Sequence, residues 1–338
     1  MTEPKRHHFV PRFYLRRFAD EDDRVFVRSR NGRSFVTSTG NVMVRSGLYR
    51  IPSQLRTAEA TLSKYEESAH RALERIGRGG FPSVGTEERP VLALFVALQF
   101  ARHFDYLTAF ELRYDIEEIA GSLPASLTMM RQYLSELYGF EPRDHEVQAA
   151  ADFINGYFNM WPNETIEDIQ EFRIQTMFEM ALNTIAPMLE DMSWSLEVSK
   201  QPHLITSDRP AVLWHPSADQ DYYQGIGIAD AQEIWFVLDP FRMLVLRHSG
   251  AEKTRRVGPE RVEFVNAHVA RHCTRDIVAG QSAKAQLGTV CLASRRPTVR
   301  FGRGEIHDQY GVATGEEVIH VWRPIRDVPD DITDPYQP

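Results

Sequence analysis

Two adjacent imidazoles, His7 and His8, open a run that continues Phe9, Val10, Pro11, Arg12, Phe13, Tyr14, Leu15, Arg16, Arg17 and Phe18. A neutral imidazole serves as general base or metal ligand. An arginine offers carboxylate or phosphate a planar fork of donors. Aromatics at this density need a core or a stacking partner, so the segment is expected to dock. Together these residues predict a polar site for an anionic ligand. The plainer role for the histidines is capping or exposure at the surface.

Three further groups stand where propensity alone would not put them. Gln99, Arg102 and His103 end an apolar helix at positions that share one face. Burying them unpaired would cost ~1–3 kcal/mol or more, so that face either leaves the core or lines a polar pocket. Thr206-Ser207-Asp208-Arg209-Pro210 follows the apolar pair Leu204-Ile205. It predicts a strand ending in a rigid turn that carries a carboxylate, or an Asx-turn closed on its own backbone. Asn266 opens a late helix on which His268, Arg271, His272 and Arg275 form a stripe, predicted to be a solvated face.

Size and charge narrow the classes. The chain has 338 residues, 42% hydrophobic and 25% charged, which suits a globular protein. No apolar run approaches the roughly 18 residues of a membrane helix, and no signal peptide is visible. Cys273 and Cys291 are the only cysteines, too few for a zinc site of their own or a disulfide framework. The expected compartment is a reducing cytoplasm. Residues 1–56 hold twelve lysines and arginines against five acids. The whole chain carries −8, so this segment is at +7 and the remainder at −15. A basic arm on an acidic body fits nucleic acid or a phosphate ester, or an arm paired with its own body. Phosphate-binding loops, dinucleotide fingerprints, His-Glu-x-x-His and Gly-x-Ser-x-Gly are all missing.

The elements that must position these residues read as follows. Residues 7–18 suit a short helix or an extended opening. Residues 24–37 form a hairpin about Asn31-Gly32, and 41–50 a third extended piece. Thr57–Ile76 is an amphipathic helix, and 87–118 a long helix whose first half is apolar nearly all round. Helices at 125–138, 144–160 and 164–190 complete a helical middle. Strands are expected at 194–198, at 203–214 with a turn inside, and as a pair around Asp239-Pro240. A late helix spans 262–279, and a last strand 318–322. The expected class is α+β: an N-terminal basic arm and β-hairpin, a helical middle, and a C-terminal mixed sheet with a late helix. One compact domain over 1–338 is expected, divided into 1–56, 57–190, 191–325 and a tail at 326–338.

The opening His-His-x-Val-Pro-x-Phe-Tyr-Leu-Arg-x-Phe and the turn Thr-Ser-Asp-x-Pro occur here at 7–18 and 206–210. On these motifs the chain resembles an uncharacterised bacterial family, domain of unknown function forty-two thirty-eight. The Glu-rich helix at 59–76, the apolar helix ending Gln99-x-x-Arg102, Trp194 and the late Asn266 helix extend the likeness. The resemblance implies His7, His8, Arg12, Gln99, Arg102, Asp208 and Asn266 as residues to test. It implies no reaction.

The expectation that follows is a pocket in which the arm folds back, so that His7 and His8 meet Asp208 and the Gln99/Arg102 face. His7, His8 and Asp208 are then the catalytic candidates. Arg12, Gln99, Arg102, Ser207 and Asn266 would bind substrate. His8 and Asp208 are the candidate ligands of a divalent metal. The matching reaction is phosphodiester hydrolysis of the nuclease kind. Two alternatives stand beside it: a non-catalytic module for nucleic acid or another phosphate-bearing ligand, and a buried structural network with no site.

Overall fold

The computed structural model describes residues 6–30, 32–46, 48–49, 55–103, 126–160, 166–216, 226–292, 299–308 and 310–322. Its class is α+β. The arm is both strand and helix. Strand β1 (Arg6–His8) pairs antiparallel with β4 (Val44–Ser46), setting His7 opposite Arg45 and His8 opposite Val44. Pro11 then caps α1 (Arg12–Leu15), where a residue that lacks an N–H costs nothing. Its carbonyl accepts the N–H groups of Tyr14 and Leu15, and a 3₁₀ turn at Arg16–Phe18 follows.

The expected hairpin forms as β2 (Arg24–Ser29) and β3 (Ser34–Ser38). Gly32 takes φ 81° in the turn, a conformation glycine adopts without strain. Val25 and Val27 alternate inward, so β2 lies on the core. Helix α2 (Leu55–Gly77) buries Leu62, Ala69, Leu73 and Ile76. Helix α3 (Glu88–Ala101) is buried almost all round, as its composition demands, and ends with Arg102 as its cap. The helix predicted to run to 118 ends instead at Ala101, with Arg102 and His103 outside it, and residues 104–118 lie outside the described residues. Helices α4 (Leu127–Tyr138), α5 (Asp144–Met160) and α6 (Ile166–Glu179) follow. A π turn at Met180–Ile185 leads to α7 (Ala186–Asp191).

The expected strand pair is β8 (Glu233–Asp239) and β9 (Arg242–Arg247). They sit in a five-stranded sheet with β5 (Ser193–Ser199), β7 (Ala211–Trp214) and β10 (Lys253–Val257), in the order β10-β5-β9-β8-β7. β10 runs parallel to β5 and the other pairs are antiparallel, so the sheet is mixed. A second sheet has the order β3-β2-β11-β6, with β11 at Asp276–Ala279 and β6 at Thr206–Ser207.

The late helix needs correction. α8 spans Pro259–His272, and the chain turns extended at Cys273. Residues Asp276–Ala279 form β11 instead of a last helical turn. The physical cause is distant in sequence: the Asp208 carboxylate accepts the N–H groups of Thr274 and Arg275 and draws them off the helix axis. β-branched Ile277 and Val278 then fit the sheet. The solvated stripe is partly wrong too. Arg271 and His272 are exposed, but His268 is buried against Trp235 and Phe264.

One large apolar cluster joins the arm, α2, α3 and both sheets. A second, small cluster of Met130, Leu134, Val147, Ala151 and Ile154 lies between α4 and α5. The hairpin of β12 (Val299–His307) and β13 (Ala313–Trp322) meets that pair through Arg303–Glu146 and Arg143–Glu316 ion pairs. Among the described residues no helix is long and apolar enough to cross a membrane.

Candidate functional site

The arm is held from its middle. Tyr14 is fully buried, and its hydroxyl donates to the Val237 carbonyl at 2.6 Å and lies 2.7 Å from the Thr206 hydroxyl. Its ring packs on Phe18, Phe95 and Phe236. Burying one such ring stabilises by roughly 1.5–3 kcal/mol. Arg17 donates to the Leu238 carbonyl, to Asp239 and to Glu74. These anchors lay the preceding strand against α2 and the end of α3.

There the arm meets a cluster of buried polar groups. The Arg102 side chain is 1% exposed, and its Nη1 donates to Glu66 of α2 at 2.8 Å. Its Nε and Nη2, which form the other edge of the guanidinium, have no hydrogen-bond partner. One turn earlier, Gln99 donates its Nε2 to the Phe95 carbonyl, and its Oε1 is unpartnered. The buried Tyr49 hydroxyl and His7 Nε2 are likewise unpartnered. The His7 ring lies 5.5 Å from that of Tyr49. His8 and Tyr49 both feel the charges of Arg102 and Glu66, which ties the arm electrostatically to this pair. Buried polar atoms are ordinarily hydrogen-bonded, so these are exceptions.

The backbone assigns the two histidines opposite tautomers. The Tyr49 N–H points at His7 Nδ1 from 3.4 Å, so Nδ1 accepts and Nε2 carries the proton. His8 Nε2 lies 3.2 Å from the Thr39 carbonyl and must donate to it, which leaves Nδ1 as a free acceptor. Burial pushes both imidazoles below their ordinary pKa, against an upward pull from Glu59 on His7. For His8 the Thr39 hydrogen bond pulls up, while Arg12 pushes further down. Burial pushes the Tyr49 hydroxyl up to about 12. The set is therefore two neutral imidazoles, a neutral phenol and one cation with an unoccupied edge.

The other candidates lie elsewhere. Arg12 is no free clamp: its Nη2 meets Asp23 at 2.6 Å and its Nε donates to Thr39. Arg16 shares the same Asp23. Burial pushes the Asp23 carboxyl up, but hydrogen bonds from Arg12 and Thr39 outweigh it and hold it at about 2. Much of the arm's positive charge is thus neutralised within the arm, and Arg17 is taken by Glu74 and Asp239.

The expected meeting of His7 and His8 with Asp208 is not formed. The surroundings of Asp208 are Thr274, Arg275, Asp276 and Arg209, and none of these acts on either histidine. Both its oxygens accept backbone N–H groups, at 2.8 and 2.6 Å. Burial pushes its carboxyl up to about 6 despite those bonds. The Ser207 hydroxyl closes a local turn with the Arg209 backbone. Asn266 accepts from the Ile205 N–H and donates to the His203 carbonyl, pinning the chain before β6 to α8. No group of three His, Cys, Asp or Glu side chains among the described residues could hold a metal ion. His8 and Asp208 share no coordination sphere.

Tyr49, Glu59 and Glu66 are the site residues that spacing did not reveal. Glu59 and Glu66 lie two turns apart beside the buried stripe of α2, a position where an acid needs a partner. That signal was legible. Tyr49 had none, because its partners come from α2, α3 and the arm.

Similarity searching agrees with the motifs. No curated protein and no solved structure matches the chain. A family model described as protein of unknown function, DUF4238, matches residues 6–283, which take in the arm, Tyr49, Glu66, Gln99, Arg102, Asp208 and Asn266. The chain belongs to that family.

Proposed function

We propose that the buried polar cluster between the arm, α2 and α3 seats the phosphate of a phosphodiester and cleaves it by general-base chemistry. The observation that carries this reading is the Arg102 edge, buried to 1% exposure with Nε and Nη2 unpartnered. A buried cation fixed on one side by a carboxylate and open on the other favours a bidentate oxyanion. His8 Nδ1 stands as the base that takes the proton of the attacking hydroxyl. His7 Nε2–H stands as a hydrogen-bond donor to the departing oxygen, which takes its proton from water. The new P–O bond forms as the old one breaks, and His8 returns its proton to solvent. Burial lowers the His8 pKa, so the ring is neutral near neutral pH, as a base requires. His8 is half-buried and Glu66 keeps 27% of its side chain exposed, so the cluster borders solvent on that side.

The test is incubation of the purified protein with labelled RNA and DNA, with a chelator and with divalent ions. His8→Ala and Arg102→Lys run beside it. Loss of a general base should lower the rate roughly 10²–10⁴-fold. Lysine keeps the charge but cannot form the fork, so Arg102→Lys should weaken binding of phosphate ligands. Cleavage unchanged in His8→Ala would refute the assignment of the base. Salt-sensitive binding with no cleavage would mark the pocket as a binding module. Neither binding nor cleavage would remove phosphate ligands altogether.

A further inference from the structure

A cavity of about 650 Å³ stands where the arm, α2, the β8–β9 turn and residues 280–282 meet. That is the size of a small-molecule site. His70 lines it, four residues and one helical turn after Glu66 on α2. The cavity therefore adjoins the Arg102 cluster, yet none of its lining residues belongs to that cluster.

The charges of the lining balance except at one group. Arg17 meets Asp239 and Glu74, and Arg242 also meets Asp239, so two cations answer two acids. Asp20 accepts the N–H groups of Asp22 and Arg24 and faces the Arg24 side chain at 3.6 Å. Arg16 is different. It shares Asp23 with Arg12, and one carboxylate cannot neutralise two guanidinium groups. Arg12 holds the shorter contact, 2.6 Å against 3.2 Å. Arg16 gives Asp23 only its Nε, so its two terminal nitrogens remain for an anion.

The apolar part of the lining is aromatic. Phe241 stands in the β8–β9 turn, with its N–H donating to Asp239 Oδ1 at 2.9 Å and 39% of the residue exposed. Phe13 packs on Phe95 and meets the His70 ring edge-on. Such rings offer faces to a planar partner. Gln281, exposed in the same lining, offers a donor and an acceptor to the polar edge of a base. A ligand that uses all of these carries a flat heteroaromatic ring and an anionic group. We propose, independently of the phosphodiester reading, that this cavity binds a nucleoside monophosphate, with its phosphate on Arg16 and its base against Phe241 and Phe13.

The test is calorimetric titration of the wild-type protein with adenosine 5′-monophosphate, adenosine and ribose 5-phosphate. The monophosphate should bind about tenfold tighter than either fragment, because each fragment lacks one of the two contacts. Phe241→Ala removes a ring that lies outside the core, so Tm should hold while affinity for the monophosphate falls about tenfold. Arg16→Gln should weaken the monophosphate to a similar degree and leave adenosine as it was. Ribose 5-phosphate binding as tightly as the monophosphate would overturn the ring contact, and adenosine binding as tightly would overturn the anion contact. No binding of any of the three would overturn the proposal outright. So would loss of binding in Arg102→Lys with none in Phe241→Ala, which would put the ligand in the buried cluster. The comparison of the three ligands needs no variant to fold.

Discussion

Asp208 gives the sharpest test of how burial and hydrogen bonding divide a carboxylate's role. It is 1% exposed, and burial lifts its pKa from an ordinary 3.8 to about 6 although two backbone N–H groups face it. A carboxyl whose folded pKa is raised binds its proton more tightly in the folded state. Its contribution to stability is present in full below pH 3.8 and is lost as the pH rises through about 6. The whole loss is roughly 3 kcal/mol, two pKa units at about 1.4 kcal/mol each. About half of it falls between pH 5 and 7.5, on the order of 1.4 kcal/mol. Asp208→Asn removes this titration and keeps one acceptor for the Thr274 and Arg275 pair. The assay is urea unfolding of both proteins at several pH values. With a slope of about 3 kcal/mol per molar, the wild-type midpoint should fall by roughly 0.5 M more than the variant's over that range. Parallel midpoints would refute the reasoning and make Asp208 an ordinary solvated acid. Because Asp208 shares no neighbour with His7 or His8, Asp208→Asn should also keep ligand affinity at the Arg102 pocket.

Three further outcomes follow from the same geometry. On the proposed reading the base His8 must be neutral and burial lowers its pKa, so kcat/KM should rise on the acid side and be flat by pH 7. An acid limb that reaches above pH 7 would exclude His8. Arg12→Ala should return the Asp23 carboxyl toward its ordinary range in a titration. It should lower stability by less than about 1 kcal/mol, as exposed pairs do, and leave phosphate binding unchanged. A large loss of binding would place Arg12 in the pocket after all. Gly280→Ala should lower Tm by several degrees, because the added Cβ would stand 2.9 Å from the Phe18 carbonyl oxygen, a backbone atom. Overpacking of this kind costs about 1–3 kcal/mol, and an unchanged Tm would show that the arm yields there.

What could be read in advance depended on range. The hairpin about Gly32 and the strand pair β8–β9 follow from turn chemistry and apolar runs, both local. Burial of α3 follows from its composition. The arm was legible as a docking segment because Phe9, Tyr14, Leu15 and Phe18 can only be accommodated in a core. The end of α8 was not legible. It is set by Asp208, which lies 66 and 67 residues before the N–H groups it receives. Helical periodicity continues through Ile277, and nothing nearby signals the interruption. Gln99 and Arg102 could be singled out as polar groups on an apolar helix. Their neighbours could not, since Glu66 is 36 residues away and Tyr49 comes from a different layer. Arg12 misled for a related reason: spacing shows a guanidinium, but which carboxylate neutralises it is decided by the fold.

The docking of the arm also constrains how the chain is made. Tyr14 finds Thr206 and Val237 across 192 and 223 residues, and Arg17 finds Leu238 and Asp239 across 221 and 222. During synthesis at about 5–20 residues per second, those partners follow the arm by roughly 10–45 s. For that interval Phe9, Tyr14, Leu15 and Phe18 have no sheet to enter, and a short apolar segment of this kind is a target for chaperones and for self-association. The histidines next to it reach their places against α2 and α3 only after β8 has left the ribosome. A truncated product that ends before residue 233 would therefore carry His7 and His8 yet lack the sheet strand that holds the arm.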